Sequence, residues 1–316
     1  IDHVFPLLVY ASENLSISHS MVEGRSGENA IRASHSNGLT VNNVTMVSLD
    51  GDGIDFRNSD NLEVVNCQFL DLEGTGIFIF SSQEGLVEGN EFFNTSLGIW
   101  LQLTDNALIS NNHFKWNVYG IYSTSNSDNN NVTFNNIHDN HFGFSMDNSG
   151  SWYIYNNTIR WNSYGLYITN TDNNQWIYNN TFALNTVNNG YDTGADDWDD
   201  RVDSGNYWDD YSGTGVYNVP GGSSVDNYPL AYTVTKPIIN NPIDIWYAEG
   251  SEGNFIVWLP FDDSLRDWVV KIDGTTWATG VWDFENINVS IDGLAYGTHS
   301  VFVKVWDVDQ NSVNDT

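Results

Sequence analysis

The chain reads as an all-β protein: a right-handed parallel β-helix of about seven or eight coils of 22–23 residues, followed by a small β-sandwich. Three observations carry that expectation. A glycine followed by an apolar residue recurs at Gly53-Ile54, Gly76-Ile77, Gly98-Ile99, Gly120-Ile121, Gly143-Phe144 and Gly165-Leu166, in steps of 22 or 23. A second apolar column, Met46, Phe69, Phe92, Phe114, Ile137, Ile159 and Phe182, keeps the same step. After Asn185 the period breaks, and from about Pro237 short apolar-alternating runs take over. A fixed period of this length marks a structural unit stacked on its neighbours.

The unit is a coil of strands. Within it the apolar residues alternate in short runs, Ile54/Phe56, Ile77/Ile79 and Ile99/Leu101, separated by Asn, Ser, Asp and Gly. A helical repeat would show a 3.6-residue period instead. Five residues before each member of the second column after Met46 lies a third, Val64, Val87, Ile109, Val132, Ile154 and Ile177. Stacked strands sit about 4.8 Å apart, so the coils make a rod roughly 35 Å long. Asn90, Asn112, Asn135, Asn157 and Asn180 form one polar column, and Asn117, Asn140 and Asn162 a second. Their amides can bond from coil to coil, and Asn tolerates the left-handed backbone of a sharp turn. The glycine column is expected where a side chain would crowd a bend. Cys67, the single cysteine, takes an asparagine-column position and is expected as a buried thiol.

Domain limits follow: a β-helix over 1–190 opening on a strand at Val4 to Tyr10, a Gly/Asp/aromatic cap over 191–236, and the sandwich over 237–316. The cap contains Gly205-Asn206-Tyr207-Trp208-x-Asp210-Tyr211 and ends in Asp226-x-Tyr228-Pro229-Leu230. With the Asn-Asn-x-Phe/Ile and Gly-Ile columns, residues 40 to 230 resemble the NosD-type right-handed β-helix proteins of archaeal and bacterial surfaces. The resemblance is specific for fold and implies little about activity. It associates the founding members with copper-site maturation. The seven His and three Met here are scattered, so no copper and no organic cofactor are expected.

In the sandwich the runs Ile243-Tyr247, Phe255-Leu259, Trp268-Ile272, Ile287-Ile291 and Val301-Trp306 read as strands, with turns at Asp273-Gly274 and Asp292-Gly293. Gly293-Leu294-x-x-Gly297-x-His299 resembles the immunoglobulin-like repeats of surface proteins, which implies a seventh strand beginning near Asn314-Asp315-Thr316. A missing last strand would leave an edge for strand addition.

Charge excludes some partners. With 41 Asp+Glu against 10 Lys+Arg the net charge is −31, which repels nucleic acid and anionic membranes. No run of 18 apolar residues occurs, so no membrane span is expected. No signal peptide is legible at the start, and the opening reads as that of a mature or trimmed chain. Asn14, Asn43, Asn94, Asn131, Asn156, Asn179, Asn288 and Asn314 stand in Asn-x-Ser/Thr sequons, in keeping with an extracellular, cell-surface location.

Three constellations could carry chemistry. Asp192, Asp196, Asp197, Asp199 and Asp200 could hold Ca²⁺, or form a solvated acidic loop. Asp50-Gly51-Asp52-Gly53-Ile54-Asp55 resembles a stretch of polygalacturonase-type hydrolases, which implies Asp52 and Asp55 as a carboxylate pair. The further motifs of that family are absent, and a coil-turn role fits as well. Lys115, His138 and Arg160 should stack on one outer face beside Trp116 and Trp161, as an acidic-sugar site or as surface charge. The first functional expectation is a non-catalytic, self-associating surface protein (an S-layer, filament or adhesin subunit) joined by its ends or by strand addition. The alternative is a polysaccharide-binding or polysaccharide-degrading lyase or hydrolase.

Overall fold

The computed structural model describes residues 7–316 except 25–26, 171–173, 232–236, 238, 240–241, 243, 249, 261, 263–264, 283–284 and 308–309. It is all-β and divides into two compact units, residues 1–232 and 233–316.

In the first unit nine parallel strands pair in order: Leu7–Tyr10, Ile31–Ser34, Ile54–Arg57, Thr75–Gln83, Leu97–Asp105, Tyr119–Thr124, Phe142–Asp147, Tyr164–Thr169 and Asn188–Asp192. A second, sixteen-stranded sheet forks at Thr40–Val47, which pairs with both Glu63–Val65 and Gln68–Leu70. Each coil therefore contributes one strand to each of three faces, a parallel β-solenoid. Of the opening run Val4 to Tyr10, residues 4–6 lie outside the described residues.

Register explains the sequence columns. Ile99 pairs with Ile77 and Ile121, and Phe92 with Phe69 and Phe114, so like residues stack inside. The Phe69, Phe92 and Phe114 rings lie 4.8 and 4.7 Å apart and within 4° of parallel. All three are fully buried, each contributing about 1.5–3 kcal/mol by leaving water. From Gly76 to Gly165 the glycine column lies in strands rather than at bends, while Gly53 sits at the bend before Ile54–Arg57. A Cβ on Gly98 would stand 2.5 Å from the Gly120 carbonyl and 2.7 Å from the Phe114 ring, so the column clears the rings.

The asparagine columns are hydrogen-bonded ladders. The amide N–H and Nδ2 of Asn90 both donate to Asn112 Oδ1, at 2.9 and 3.0 Å, and Nδ2 donates also to the Val64 carbonyl. The pattern runs through Asn135, Asn157 and Asn180. The left-handed residues are not these asparagines but those just before them: Gly89, Asn111, Phe134, Asn156 and Asn179. The ladder position needs an amide that accepts and donates at once; the turn is made one residue earlier.

The Gly205–Trp208 stretch is the ladder's last rung. Asn206 Oδ1 accepts from the Asn180 amide, and Asn206 N donates to Asp226 Oδ2 at 2.8 Å. Trp198 and Trp208 are fully buried over Phe182, and Tyr217 stacks on Trp208 at 3.9 Å. Tyr207–Trp208 and Leu230–Ala231 continue the parallel pairing and close the apolar interior.

The second unit pairs Phe255–Trp258 with Ile287–Ser290 and orders Thr275–Val281, Leu265–Ile272, Val301–Asp307 and Ser312–Asp315 in a four-stranded antiparallel sheet. Trp258, Val270, Trp282, Ile287, Val289, Val303 and Val305 form its core. Of the run Ile243-Tyr247, residue 243 lies outside the described residues and 244–247 form no strand. Ser312–Asp315 pairs with Val301–Asp307 as an edge strand.

Candidate functional site

The outward positions of the nine-stranded sheet carry a continuous aromatic lane. Inward residues there are Ile77/Ile79, Ile99/Leu101 and Ile121/Ser123; the alternate residues point the other way. Register aligns Arg32, Asp55, Phe78, Trp100, Tyr122, Ser145, Tyr167 and Tyr191 in one column over successive coils. A neighbouring column holds Tyr119, Phe142 and Tyr164, next to the glycines.

The rings touch along the whole lane. Phe78 and Trp100 centroids are 4.5 Å apart, Trp100 and Tyr122 6.1 Å, and Tyr167 and Tyr191 4.7 Å. Tyr119, Phe142 and Tyr164 stack at 4.8 Å, within 10° of parallel. Those three hide their faces in each other. Trp100, tilted 34° and 32° to its neighbours, does not; Tyr167 stands at 69° to Tyr164 but stacks on Tyr191 within 10°. All the lane rings except buried Phe78 are partly exposed. Burial, with Asp147 and Tyr119 after it, raises the Tyr122 hydroxyl pKa, so that hydroxyl keeps its proton. The sequence signal was aromatic residues just before and two after the glycines, Tyr119/Tyr122 and Tyr164/Tyr167, which the search for core columns passed over.

At the lane's head lies the Asp52/Asp55 motif. Asp55 is fully buried and accepts from Arg32 Nε at 2.8 Å, Arg57 Nε at 2.5 Å and Asn29 Nδ2 at 3.0 Å. Asp52 belongs to a coil-turn ladder: its amide donates to Asn29 Oδ1 and its Oδ1 accepts from the Thr75 amide. Burial raises the Asp52 pKa, with Asp55 adding to the effect. Both carboxylates are thus engaged in holding adjacent coils.

Lys115, His138 and Arg160 are register neighbours in three successive coils. They do not form the expected open face: they are 1%, 0% and 2% exposed. Trp116 and Trp161 occupy left-handed corners, and their rings lie 4.4 Å from Lys115 Nζ and the Arg160 guanidinium. His138 Nδ1 meets Asp139 Oδ2 at 2.8 Å, and its Nε2 meets His113 Nε2 at 2.5 Å. Burial holds the His138 pKa down to about 4.

The acidic segment is a set of hydrogen-bond acceptors. Asp192 accepts from the Trp198 indole at 3.1 Å, from the Gly194 amide and from Ser224 Oγ. Asp196 accepts from the Gln175 amide, Asp199 from Arg201 and Asn227, and Asp197 pairs with Arg201. Asp200 accepts from the amides of Ser204, Val202 and Asp203, which hold its pKa down. Among the described residues no group of three or more His, Cys, Asp or Glu could hold a metal ion, so the Ca²⁺ expectation finds no centre there. No helix of the described residues is long and apolar enough to cross a membrane. Of the sequon residues, Asn14, Asn43, Asn94, Asn156 and Asn179 stand at left-handed corners, Asn131 starts a strand, and Asn288 and Asn314 are exposed strand residues.

The model of a family described as periplasmic copper-binding protein (NosD) matches residues 12–213. No curated protein matches the chain. Among solved structures, a hyperthermoactive exopolygalacturonase from Thermotoga maritima aligns at 12% identity and a TM-score of 0.34, over 57% of this chain and 48% of that one. A tailspike protein 2 from an Escherichia coli O157:H7 bacteriophage aligns at 11% identity and a TM-score of 0.34, over 90% of this chain and 50% of that one. The chain thus spans about half the length of each.

The family's description corrects the expectation of no copper. Scatter along a sequence does not measure distance, and the fold does bring His113 against His138. That pair does not itself fit a copper ion. Its ring nitrogens stand at hydrogen-bond distance, too close for a metal lying about 2 Å from each at a tetrahedral angle. The buried cations Lys115 and Arg160 flank His138 in the column and oppose further positive charge. Cys67 is buried, with its Sγ directed at the Val41 and Val65 carbonyls. No chemistry is therefore routed through copper at these residues.

Proposed function

The chain belongs to the NosD family, and from that premise we propose that it is a polysaccharide-binding β-solenoid acting outside the cytoplasm, with the aromatic lane of its nine-stranded sheet as the binding face. The observation that carries this reading is the lane's continuity. Rings from Phe78 to Tyr191 cover six successive coils, about 24 Å at the strand spacing. A contiguous, partly exposed aromatic strip marks an interaction surface. Its linear form suits an extended chain rather than a compact molecule. Aromatic faces take up the C–H faces of sugar rings, while Tyr hydroxyls and flanking polar groups bond to sugar hydroxyls. Gln102, Thr124, Asp147 and Thr169 lie in the next outward column, placed to supply those bonds.

The family's periplasmic description supports a compartment outside the cytoplasm. Binding is the whole of the proposed activity, because Asp52 and Asp55 are committed to the coil ladder and the arginine pair. The surface-lattice and filament expectation gains no support from the described residues.

The test is affinity electrophoresis and calorimetry against a panel of neutral and acidic linear polysaccharides. At least one should bind. The double variant Trp100→Ala/Tyr122→Ala should weaken that binding tenfold or more with an unchanged far-UV CD spectrum. An unaffected affinity, or no binding across the panel, ends the reading.

A further inference from the structure

We propose that the lane selects acidic polysaccharides, with Arg32 and Arg57 forming a carboxylate-binding fork at its head; this rests on the polysaccharide-binding reading above. The two arginines are set by register. Arg32 pairs with Asp55, and Asp55 with Phe78, in the same outward column that continues as Trp100 and Tyr122. Arg57 stands in the next column, between Ser34 and Phe80, and its guanidinium lies 4.9 Å from the Phe78 ring centroid. A ligand running along the rings thus meets both cations at one end.

Their chemistry is that of a prepared site. Asp55, fully buried between them, fixes each guanidinium through Nε alone. Among the described residues that leaves the Nη groups of both with hydrogens to donate. The side chains remain 50% and 41% exposed, so those groups reach solvent. Two guanidiniums share one carboxylate, leaving one positive charge in excess between them. Asp52, in the turn before Asp55, spends Oδ1 on the Thr75 amide. Burial raises its pKa, and Arg57 acts against that rise.

On a chain of net charge −31 with only ten Lys and Arg, two half-exposed arginines buttressed by a buried aspartate are not background charge. Planar guanidinium matches planar carboxylate through paired N–H bonds, which a neutral sugar cannot return. The ligand class is a polyuronate: a chain whose rings lie on the aromatics while a uronate carboxylate enters the Arg32/Arg57 fork.

The probe is a matched pair, polygalacturonate and its methyl-esterified form, which share a backbone and differ in charge. The full chain should bind the free acid at least tenfold more tightly than the ester in 0.15 M salt. Removing Asp55's partners alone would strand a buried carboxylate and could unfold the coil, so the variant is Arg32→Gln/Asp55→Asn/Arg57→Gln. It should lose the preference for the acid and keep the wild-type affinity for the ester. Trp100→Ala/Tyr122→Ala should instead weaken both. Equal wild-type binding of acid and ester overturns the fork and leaves the lane standing. A preference that survives the triple variant also overturns the fork, as does binding of neither ligand, while the lane falls only if the wider polysaccharide panel also fails to bind.

Discussion

His138 is a neutral imidazole enclosed between Lys115 and Arg160, and its titration couples to folding. Its pKa is about 4 in the folded protein, against an ordinary value of 6.5. Between those values the unfolded chain takes up a proton that the folded one refuses, so stability falls as pH drops from 6.5 to 4. The full effect is on the order of 3 kcal/mol at 1.36 kcal/mol per unit. Asp52 and Asp226, whose pKa values are raised by burial, act in the opposite sense just above the ordinary carboxylate range. The difference between wild type and His138→Gln isolates the histidine. Urea midpoints for the two should converge toward pH 4 and separate toward pH 7; a constant gap would place the titration elsewhere. The His113–His138 meeting was hidden in the sequence, because the two are 25 positions apart and only the fold of successive coils joins them.

Element by element, the glycine and phenylalanine columns work as one device. Gly98→Ala would drive a Cβ onto the Phe114 ring and the Gly120 carbonyl, and should cost about 1–3 kcal/mol or more by overpacking. Gly274→Ala, at a hairpin turn with φ of 79° and nothing within 4 Å, should cost about 1–2 kcal/mol from backbone strain alone. Thermal denaturation of the two variants checks the order, and an equal loss would remove the packing argument. These columns were legible because interior positions demand the same residue type in every coil. The lane was not, since outward strand positions answer to no core and Ser145 interrupts its column. Burial of Lys115 and Arg160 was illegible for a related reason: strand alternation says which way a side chain leaves the sheet, not what closes over it. Likewise the motif at Asn206 gave away the family but not its task, because the ladder it completes steps 26 residues instead of 22 or 23.

On the scale of the whole molecule, the fork works against the field around it. A net charge of −31 repels a polyuronate at long range, and about 8 Å of screening at 0.15 M salt lets the local guanidiniums be felt. Association of the acidic ligand should therefore quicken with added salt while dissociation also quickens, as the Arg–carboxylate contacts weaken. Stopped-flow rates between about 20 and 300 mM salt, roughly the span over which the screening length halves and halves again, read both limbs. An association rate that falls with salt would mean that attraction, not repulsion, governs the encounter. The methyl ester should show neither trend.

The asparagine ladder has a direction. Each rung passes hydrogen bonds forward, from Cys67 and Asn90 through Asn180 to Asn206, and the last receiver is Asp226, which gives none back. A carboxylate that also takes the Trp208 indole and the Tyr228 amide is a full stop in that grammar. Interior coils, by contrast, hand on what they receive unchanged. A duplicated coil could be spliced between Asn112 and Asn135 and find every bond waiting, whereas one added after Asp226 would find no donor left to answer. Length is thus inherited from the middle of the rod, and each such insertion would lengthen the sugar lane by one rung while leaving the fork at one end and the terminator at the other as they are.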